Sequence, residues 1–304
     1  MKFLDLFAGC GGGTLGFART GFQVLGVDIS KYSRMVFEEN MLGDFIQADL
    51  GVERIEGEFD IILGGPPCTP WSSVNLHRRG KNHPDFYLLQ TFFEHVRRLY
   101  PKLFILENVP PARMDAEGFA NEELSDLYYM ETHVIRYSDF GSPTRRRRMF
   151  IFGLRRDTGF TASNFFEILN TFRRKPSTVR EAIAGLNTGD PDHIYPVMRT
   201  IHQYREKYRT GKYGWYILRW DEPAPSFGNI MKTYILHPDS ANGGEPRVIS
   251  VREALSIMGF PWDFRFPAEV PMSVRYQMVA EAVSPVFSEA LAKAVLRMFE
   301  NGQG

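Results

Sequence analysis

A single cysteine on a stiff turn and a single glutamate at the end of an apolar run are the side chains best suited to covalent and acid–base chemistry in this chain. Cys68 sits in Gly64-Gly65-Pro66-Pro67-Cys68-Thr69-Pro70-Trp71-Ser72, directly after Phe59-Asp60-Ile61-Ile62-Leu63. Each proline fixes its own φ and restricts the residue before it. The glycines let the backbone turn and let a ligand approach. A nucleophile gains from such stiffness, because reaction needs a narrowly held geometry. A cysteine alone is more often an inert buried side chain; its flanks make Cys68 a candidate nucleophile. Glu107 closes Leu103-Phe104-Ile105-Leu106 and is followed by Asn108-Val109-Pro110-Pro111. Desolvation at the mouth of a sheet would favour its protonated form and fit it to act as an acid.

Two further constellations accompany them. In Asp5-Leu6-Phe7-Ala8-Gly9-Cys10-Gly11-Gly12-Gly13-Thr14 a strand runs into a glycine-rich turn and a helix, the arrangement that receives a nucleotide-like ligand at the carboxyl end of a sheet. Asp28 ends the next strand and is placed to accept hydrogen bonds from two ribose hydroxyls. Asp49, in Gln47-Ala48-Asp49-Leu50, ends a third strand-like run and is placed to bond an adenine amino group. Cys10 reads as a small filler in the glycine turn. The other constellation is Ser142-Pro143-Thr144-Arg145-Arg146-Arg147-Arg148, where extended backbone would put Arg146 and Arg148 on one face and Arg145 and Arg147 on the other.

The elements that must position these residues follow from the hydrophobic pattern. Strands are expected at Phe3 to Phe7, Gln23 to Val27, Asp60 to Leu63, Leu103 to Leu106, His133 to Tyr137 and Met149 to Phe152. Helices are expected at Thr14 to Arg19, Ser33 to Glu39 and Phe86 to Tyr100. The alternation implies an α/β fold with a mostly parallel, doubly wound sheet. From about residue 156 to 245 loops, aromatics and basic side chains dominate. Order returns at Val251 to Leu255 and in a closing helix, Pro285 to Phe299.

Bulk numbers narrow the class. The 304 residues permit one large or two smaller domains, and 43% hydrophobic with 24% charged residues is ordinary for a globular protein. No apolar stretch approaches the ~18–20 residues of a membrane span. With only Cys10 and Cys68 a disulfide framework is not expected, and a reducing, intracellular location fits. Net charge is zero, yet residues 155 to 219 carry 12 Lys/Arg against 6 Asp/Glu. Aromatic residues interleave these charges, as in Tyr204 to Trp215, which suits either a solvated face or a phosphate-tracking surface.

Taken together and in this order, the glycine-rich opening, the Pro-Cys loop, the Glu-Asn-Val and the arginine run resemble the cytosine-C5 DNA methyltransferase family. The resemblance covers Lys2 to about Arg155 and resumes near Arg219. It implies a Rossmann-like class I methyltransferase sheet over residues 1–155, a smaller, mostly irregular target-recognition domain over 156–270, and a C-terminal segment, 271–304, that returns to the catalytic domain. It further implies S-adenosylmethionine as cofactor, held by Phe7, Gly9, Gly11, Asp28, Ile29, Asp49, Leu50, Pro67 and Leu88, with Glu281 and Ala282 near its methionine end, and no metal. Cys68 would add to cytosine C6, Glu107 would hold N3 and the amino group, and Arg146 and Arg148 would steady the base and its phosphate, with Arg148 nearest O2 and both favouring the thiolate. The base must leave the duplex to be reached. The implied setting is a prokaryotic cytoplasmic, nucleoid-associated monomer acting on double-stranded DNA beside a cognate restriction endonuclease; tRNA methylation and a catalytically silent relative are the competing readings. Arg173, Arg174, Lys175, Arg199, Arg205, Lys207 and Arg209 are candidate base readers. Three departures from the family pattern stand out: Thr69 after the cysteine, Thr144 ahead of the arginines, and Ala280-Glu281 where the family has Gly-Asn. The last is expected to shift cofactor affinity.

Overall fold

A computed structural model describes residues 1–72, 80–198, 200–210, 215–241 and 245–300. The chain divides into two compact units that interleave in sequence. The first holds Met1–Arg136, Arg147–Arg173 and the chain from Ser288; the second holds Tyr137–Arg146 and Arg174–Phe287. The contiguous blocks expected from the sequence end instead at 155 and 270. The helix after residue 155 packs on the sheet, and the chain rejoins the first unit at 288, which is why the two divisions differ.

The first unit is a seven-stranded sheet. Its elements are β1 (Lys2–Leu6), α1 (Gly12–Arg19), β2 (Gln23–Asp28), α2 (Lys31–Glu39), β3 (Asp44–Gln47), β4 (Ile61–Gly64), α3 (Tyr87–Leu99), β5 (Leu103–Asn108), α4 (Arg113–Leu124), β6 (Tyr128–Arg136), β7 (Arg147–Arg155) and α5 (Ala162–Asn170). The order is β3-β2-β1-β4-β5-β7-β6, with β1 to β5 parallel and β7 antiparallel to both neighbours. Strand order reverses between β1 and β4, and ligands of open α/β sheets bind outside the carboxyl ends of the strands at such a switch point. The glycine turn follows β1 there, and the cysteine loop follows β4.

Strand alternation gives the sheet two apolar faces. Leu4, Leu6, Ile62, Phe104, Leu106, Met149 and Ile151 join Phe92, Phe93 and Val96 of α3 and Ala116, Ala120 and Leu124 of α4 in one core. On the opposite face Phe3 stacks on Phe17 of α1 with ring centroids 3.9 Å apart. Phe152 packs on Phe165 of α5 at 5.2 Å. Gly16 of α1 lets the last helix, α10 (Pro285–Glu300), lie against it: a Cβ there would meet the Glu289 nitrogen at 2.2 Å and the Ser288 carbonyl carbon at 2.3 Å. The Gly16 N–H donates to Ser288 Oγ at 3.1 Å, so this crossing is hydrogen-bonded as well as close.

In the second unit are α6 (Val179–Ile183), α7 (Arg205–Thr210), β8 (Tyr216–Ile217), β9 (Ile235–Leu236), α8 (Val251–Met258) and α9 (Met272–Glu281). With so little regular structure, ion pairs inside it carry much of the order. Asp192 accepts from Arg275 at 2.8 Å and from the Phe266 N–H at 3.1 Å. Arg247 forks onto Glu253 at 2.8 and 2.7 Å. Arg252, fully buried, donates to the carbonyls of Pro261, Trp262 and Phe264. No helix of the described residues is long and apolar enough to cross a membrane.

Candidate active site

The glycine turn is shaped by backbone that ordinary residues avoid. Phe7 has φ 62°, Gly9 has φ 54° and Gly11 has φ 78°. Positive φ at a bulky residue such as Phe7 is uncommon and costs roughly 1–3 kcal/mol, so the surrounding structure must enforce it. Asp28 does part of this: its carboxylate accepts from the Gly9 N–H at 2.9 Å and the Ser30 N–H at 2.8 Å. Burial nevertheless raises the Asp28 pKa, against the pull of those bonds. A Cβ added to Gly9 would meet nothing within 4 Å, so open space lies over that residue.

Beneath the turn lies a residue that sequence reading passed over. Asp5 is only 3% exposed and accepts from the Thr14 hydroxyl at 2.6 Å. Burial pushes its pKa up to about 7; the Thr14 bond opposes this, and the Asp28 and Glu107 charges add to it. The signal was an acid inside the apolar run Phe-Leu-Asp-Leu-Phe, which needs a partner.

The rest of the cofactor set divides by exposure. Ile29 is 63% exposed after Asp28, whereas Leu50 is buried and Leu88 and Pro67 are half-buried. Asp49, half-buried, caps the Gly51 N–H at 2.9 Å. Asp28 Oδ atoms each carry two lone pairs and so keep acceptor capacity for hydroxyls. The open space over Gly9, the acid ending β2 and the exposed Ile29 beside it fit a ligand with a diol and a flat ring, as the adenosine part of S-adenosylmethionine has. Glu281 and Ala282 belong to the second unit: Glu281 ends α9, is exposed, and accepts from Gln277.

The Cys68 loop is clamped to the end of β5. Asn108, fully buried, donates from Nδ2 to the Pro66 carbonyl at 3.1 Å and accepts the Val109 N–H on Oδ1 at 2.8 Å. A Cβ on Gly65 would stand 3.2 Å from Glu107 Oε2, so the carboxyl lies against the loop backbone just ahead of the cysteine. Cys68, half-buried, opens the short 3-10 turn Thr69–Trp71, and its carbonyl accepts the Trp71 N–H at 3.0 Å. Trp71 Nε1 donates to Asp115 of α4 at 2.8 Å, and the Thr69 hydroxyl donates to Asp85 at 3.1 Å.

Glu107 is 8% exposed and faces Arg148, whose Nε stands 2.9 Å from Oε1. The sheet dictates this pair. Glu107 is opposite Phe150 in the β5–β7 register, and Arg148 is two residues along β7 on the same face, a diagonal cross-strand neighbour. Burial alternates through the run as the spacing predicts: Thr144 and Arg146 are buried, Arg145 and Arg147 exposed, Arg148 half-buried. In the second unit the Thr144 hydroxyl accepts the Arg146 N–H and donates to the Ala224 carbonyl, both at 3.3 Å. Ala224 also bridges Pro143 and Arg145 through backbone bonds of 2.8 and 2.7 Å. The arginine run and the segment around Ala224 are thereby neighbours, a pairing between residues about 80 positions apart that leaves no local signal.

Of the candidate base readers, Arg173 bonds Asn170 at 2.8 Å and Lys207 lies over the Trp215 ring at 4.7 Å. Arg199 and the side chains of Arg205 and Arg209 lie outside the described residues. Among the described residues no group of three or more His, Cys, Asp or Glu is arranged to hold a metal.

This sheet order, with a glycine turn after β1 and a clamped cysteine loop after β4, defines a Rossmann-like methyltransferase fold. The profile of the family described as C-5 cytosine-specific DNA methylase matches residues 1–297, and the chain belongs to that family, as an enzyme of the DNA cytosine-5 methyltransferase class. It is 29% identical to the type II methyltransferase M1.HphI of Haemophilus parahaemolyticus, over 99% of this chain and 88% of that protein. It is also 29% identical to the type II methyltransferase M.HgiDI of Herpetosiphon aurantiacus, over 93% of this chain and 90% of that protein. Among solved structures, the Dnmt2 methyltransferase of S. pombe shares the fold with TM-score 0.74 at 13% identity, covering 100% of both chains.

Proposed function

We propose that the enzyme transfers the methyl group of S-adenosylmethionine to C5 of a cytosine flipped from duplex DNA, through a covalent bond between Cys68 and C6. The observation that carries this reading is the clamp: Asn108 ties the cysteine loop to β5, and the next residue back, Glu107, sits against that loop with Arg148 on its carboxyl.

Cytosine C5 is a weak nucleophile. Addition of the Cys68 thiolate to C6 turns the ring into an enamine with electron density at C5, which divides one hard step into two easier ones. Glu107 holds N3 and the exocyclic amine as negative charge spreads over the ring, and Arg148 holds O2. Arg146 steadies the base and its phosphate. A base then takes the C5 proton, and the thiolate leaves. When bound, S-adenosylmethionine supplies an electrophilic methyl on a sulfonium centre. Phe7, Gly9, Gly11, Asp28, Ile29, Asp49, Leu50, Pro67 and Leu88 hold it in this reading. Glu281 and Ala282 approach its methionine end. The Glu281 contribution is tested by calorimetric cofactor binding to wild type and Glu281→Asn, and equal affinities remove it.

The second unit, with its basic and aromatic residues, reads the DNA sequence. The enzyme works as a monomer in a prokaryotic cytoplasm, on the nucleoid, protecting sites from a cognate restriction endonuclease. Transfer of tritiated methyl groups to duplex DNA and to tRNA, with Cys68→Ala as control, tests the reading. Label is expected in duplex DNA alone and at background with the variant. Label in tRNA but not DNA would move the substrate to RNA, and label unaffected by Cys68→Ala would remove the covalent mechanism. Bisulfite sequencing of plasmid from an expressing host then gives the recognition sequence.

A further inference from the structure

Three of the four consecutive arginines have a place within the protein. Arg145 pairs with Glu222 at 3.6 Å, Arg146 is buried, and Arg148 pairs with Glu107 at 2.9 Å. Arg147 is exposed, and among the described residues its guanidinium faces no acid. Its directly opposed partner on β6 is another exposed arginine, Arg136, likewise with no acid among the described residues. Directly opposed residues of an antiparallel pair put their side chains on the same face with Cβ atoms about 4.5–5.5 Å apart, and like charges there destabilise the sheet. A protein that only needed a stable strand end would not place two guanidinium groups in this register.

The position of the pair gives it a use. Asn108, the last residue of β5, is opposite Met149, so the two residues of β7 before Met149 run past the end of β5 with their β6 partners. Arg136 and Arg147 stand at that overhang, on the carboxyl edge that also carries the Cys68 loop and Glu107. We infer that Arg136 and Arg147 form a two-arginine fork for one phosphate of the DNA backbone near the target cytosine. This rests on the reading that the enzyme acts on duplex DNA. A phosphate between the two guanidinium groups turns their mutual repulsion into a pair of charge-assisted contacts. Such a contact positions the duplex without reading its sequence.

The test is duplex binding by fluorescence anisotropy from about 50 to 200 mM salt. The proteins are wild type, the double variant Arg136→Gln/Arg147→Gln, and a charge-matched control, Arg34→Gln/Arg97→Gln, which removes exposed arginines that pair with Glu38 and Asp126. Loss of one phosphate contact flattens the slope of log K against log salt by about 0.9. The fork variant is therefore expected to show a slope shallower than the control by that amount, roughly tenfold weaker binding at low salt, a raised KM for duplex and a kcat within about twofold of wild type. Removing the like-charge register is also expected to raise the melting midpoint of the double variant by about a degree or two, where loss of a stabilising contact would lower it. A fork-variant slope equal to the control's overturns the inference and leaves the DNA reading standing. A wild type that neither binds nor methylates duplex overturns both.

Discussion

Replacing Asp5 by Asn separates a charge from a shape. Asn fills the same volume and keeps an Oδ1 acceptor for the Thr14 hydroxyl, but it cannot ionise. In wild type the folded protein holds the Asp5 proton up to about pH 7, whereas the ordinary value is 3.8. The native state therefore binds more protons than the unfolded state between those limits, and stability must fall as pH rises through that window. The stabilising contribution of the protonated acid is complete below about 3.8 and is gone above about 7. The gap corresponds to roughly 4 kcal/mol, at about 1.4 kcal/mol per pH unit. Asp5→Asn has no such slope. The expected result is that the unfolding free energy of the variant, minus that of wild type, climbs by about 1.4 kcal/mol per pH unit from pH 4 to 7 and is level above it. Urea titrations followed by tryptophan fluorescence, at fixed ionic strength from pH 4.5 to 8.5, measure this directly. Any constant cost of the extra amide hydrogens shifts the curve vertically and leaves its slope alone. Parallel curves for the two proteins across the window would refute the argument that burial keeps Asp5 neutral.

Three further outcomes follow from the same contacts. Arg148→Ala strips the partner from the nearly buried Glu107 and is expected to cost about 2–4 kcal/mol of stability and roughly 10²–10³ in kcat, read by urea unfolding and methyl transfer. Asn108→Leu releases the Pro66 carbonyl and should cost about 1–3 kcal/mol, with kcat falling more than cofactor affinity because the loop it frees carries Cys68; calorimetry beside single-turnover rates separates the two. Gly16→Ala drives a methyl into the Ser288–Glu289 backbone and should destabilise by about 1–3 kcal/mol, seen as a lower thermal midpoint.

The central strands β4 and β5 were legible because each is a short, buried apolar run that leads into residues that chemistry needs. Leu103 to Leu106 is fully buried, and Glu107 is conspicuous for closing it. α4 was not legible: its core contacts are Ala116, Ala120 and Leu124, and two alanines give almost no periodic signal. α9 hid for a similar reason, with buried Arg275 and Tyr276 breaking the apolar stripe. The alternation of the arginines was readable from the two-residue period. Their partners were not, since Glu107 and Glu222 are distant in sequence and only strand register or backbone bridging brings them near. Thr144 looked like a departure from a pattern; its hydroxyl bonds the Arg146 N–H and the Ala224 carbonyl. Asp5 and Asn108 were missed because each acts by holding backbone or charge in place.

The carboxyl edge of this sheet is electrically divided. Asp5, Asp28 and Asp49 lie at or beyond β1, β2 and β3, with no arginine or lysine in an ion pair to any of them among the described residues. Arg136, Arg147 and Arg148 lie at the ends of β6 and β7. Glu107, on β5 between the two groups, is the acid that meets an arginine. The reaction proposed needs this division, because its two substrates carry opposite charge: a sulfonium cation and a phosphodiester. Acidification through about pH 7 protonates Asp5, and burial likewise raises the Asp28 pKa, so the field on the side that receives the cation weakens. Cofactor affinity is therefore expected to fall on acidification while duplex affinity holds. Calorimetry with S-adenosylmethionine and anisotropy with duplex, both from pH 8 to 5.5 at constant salt, should diverge. If the two affinities fall together, the division of the edge does not govern binding.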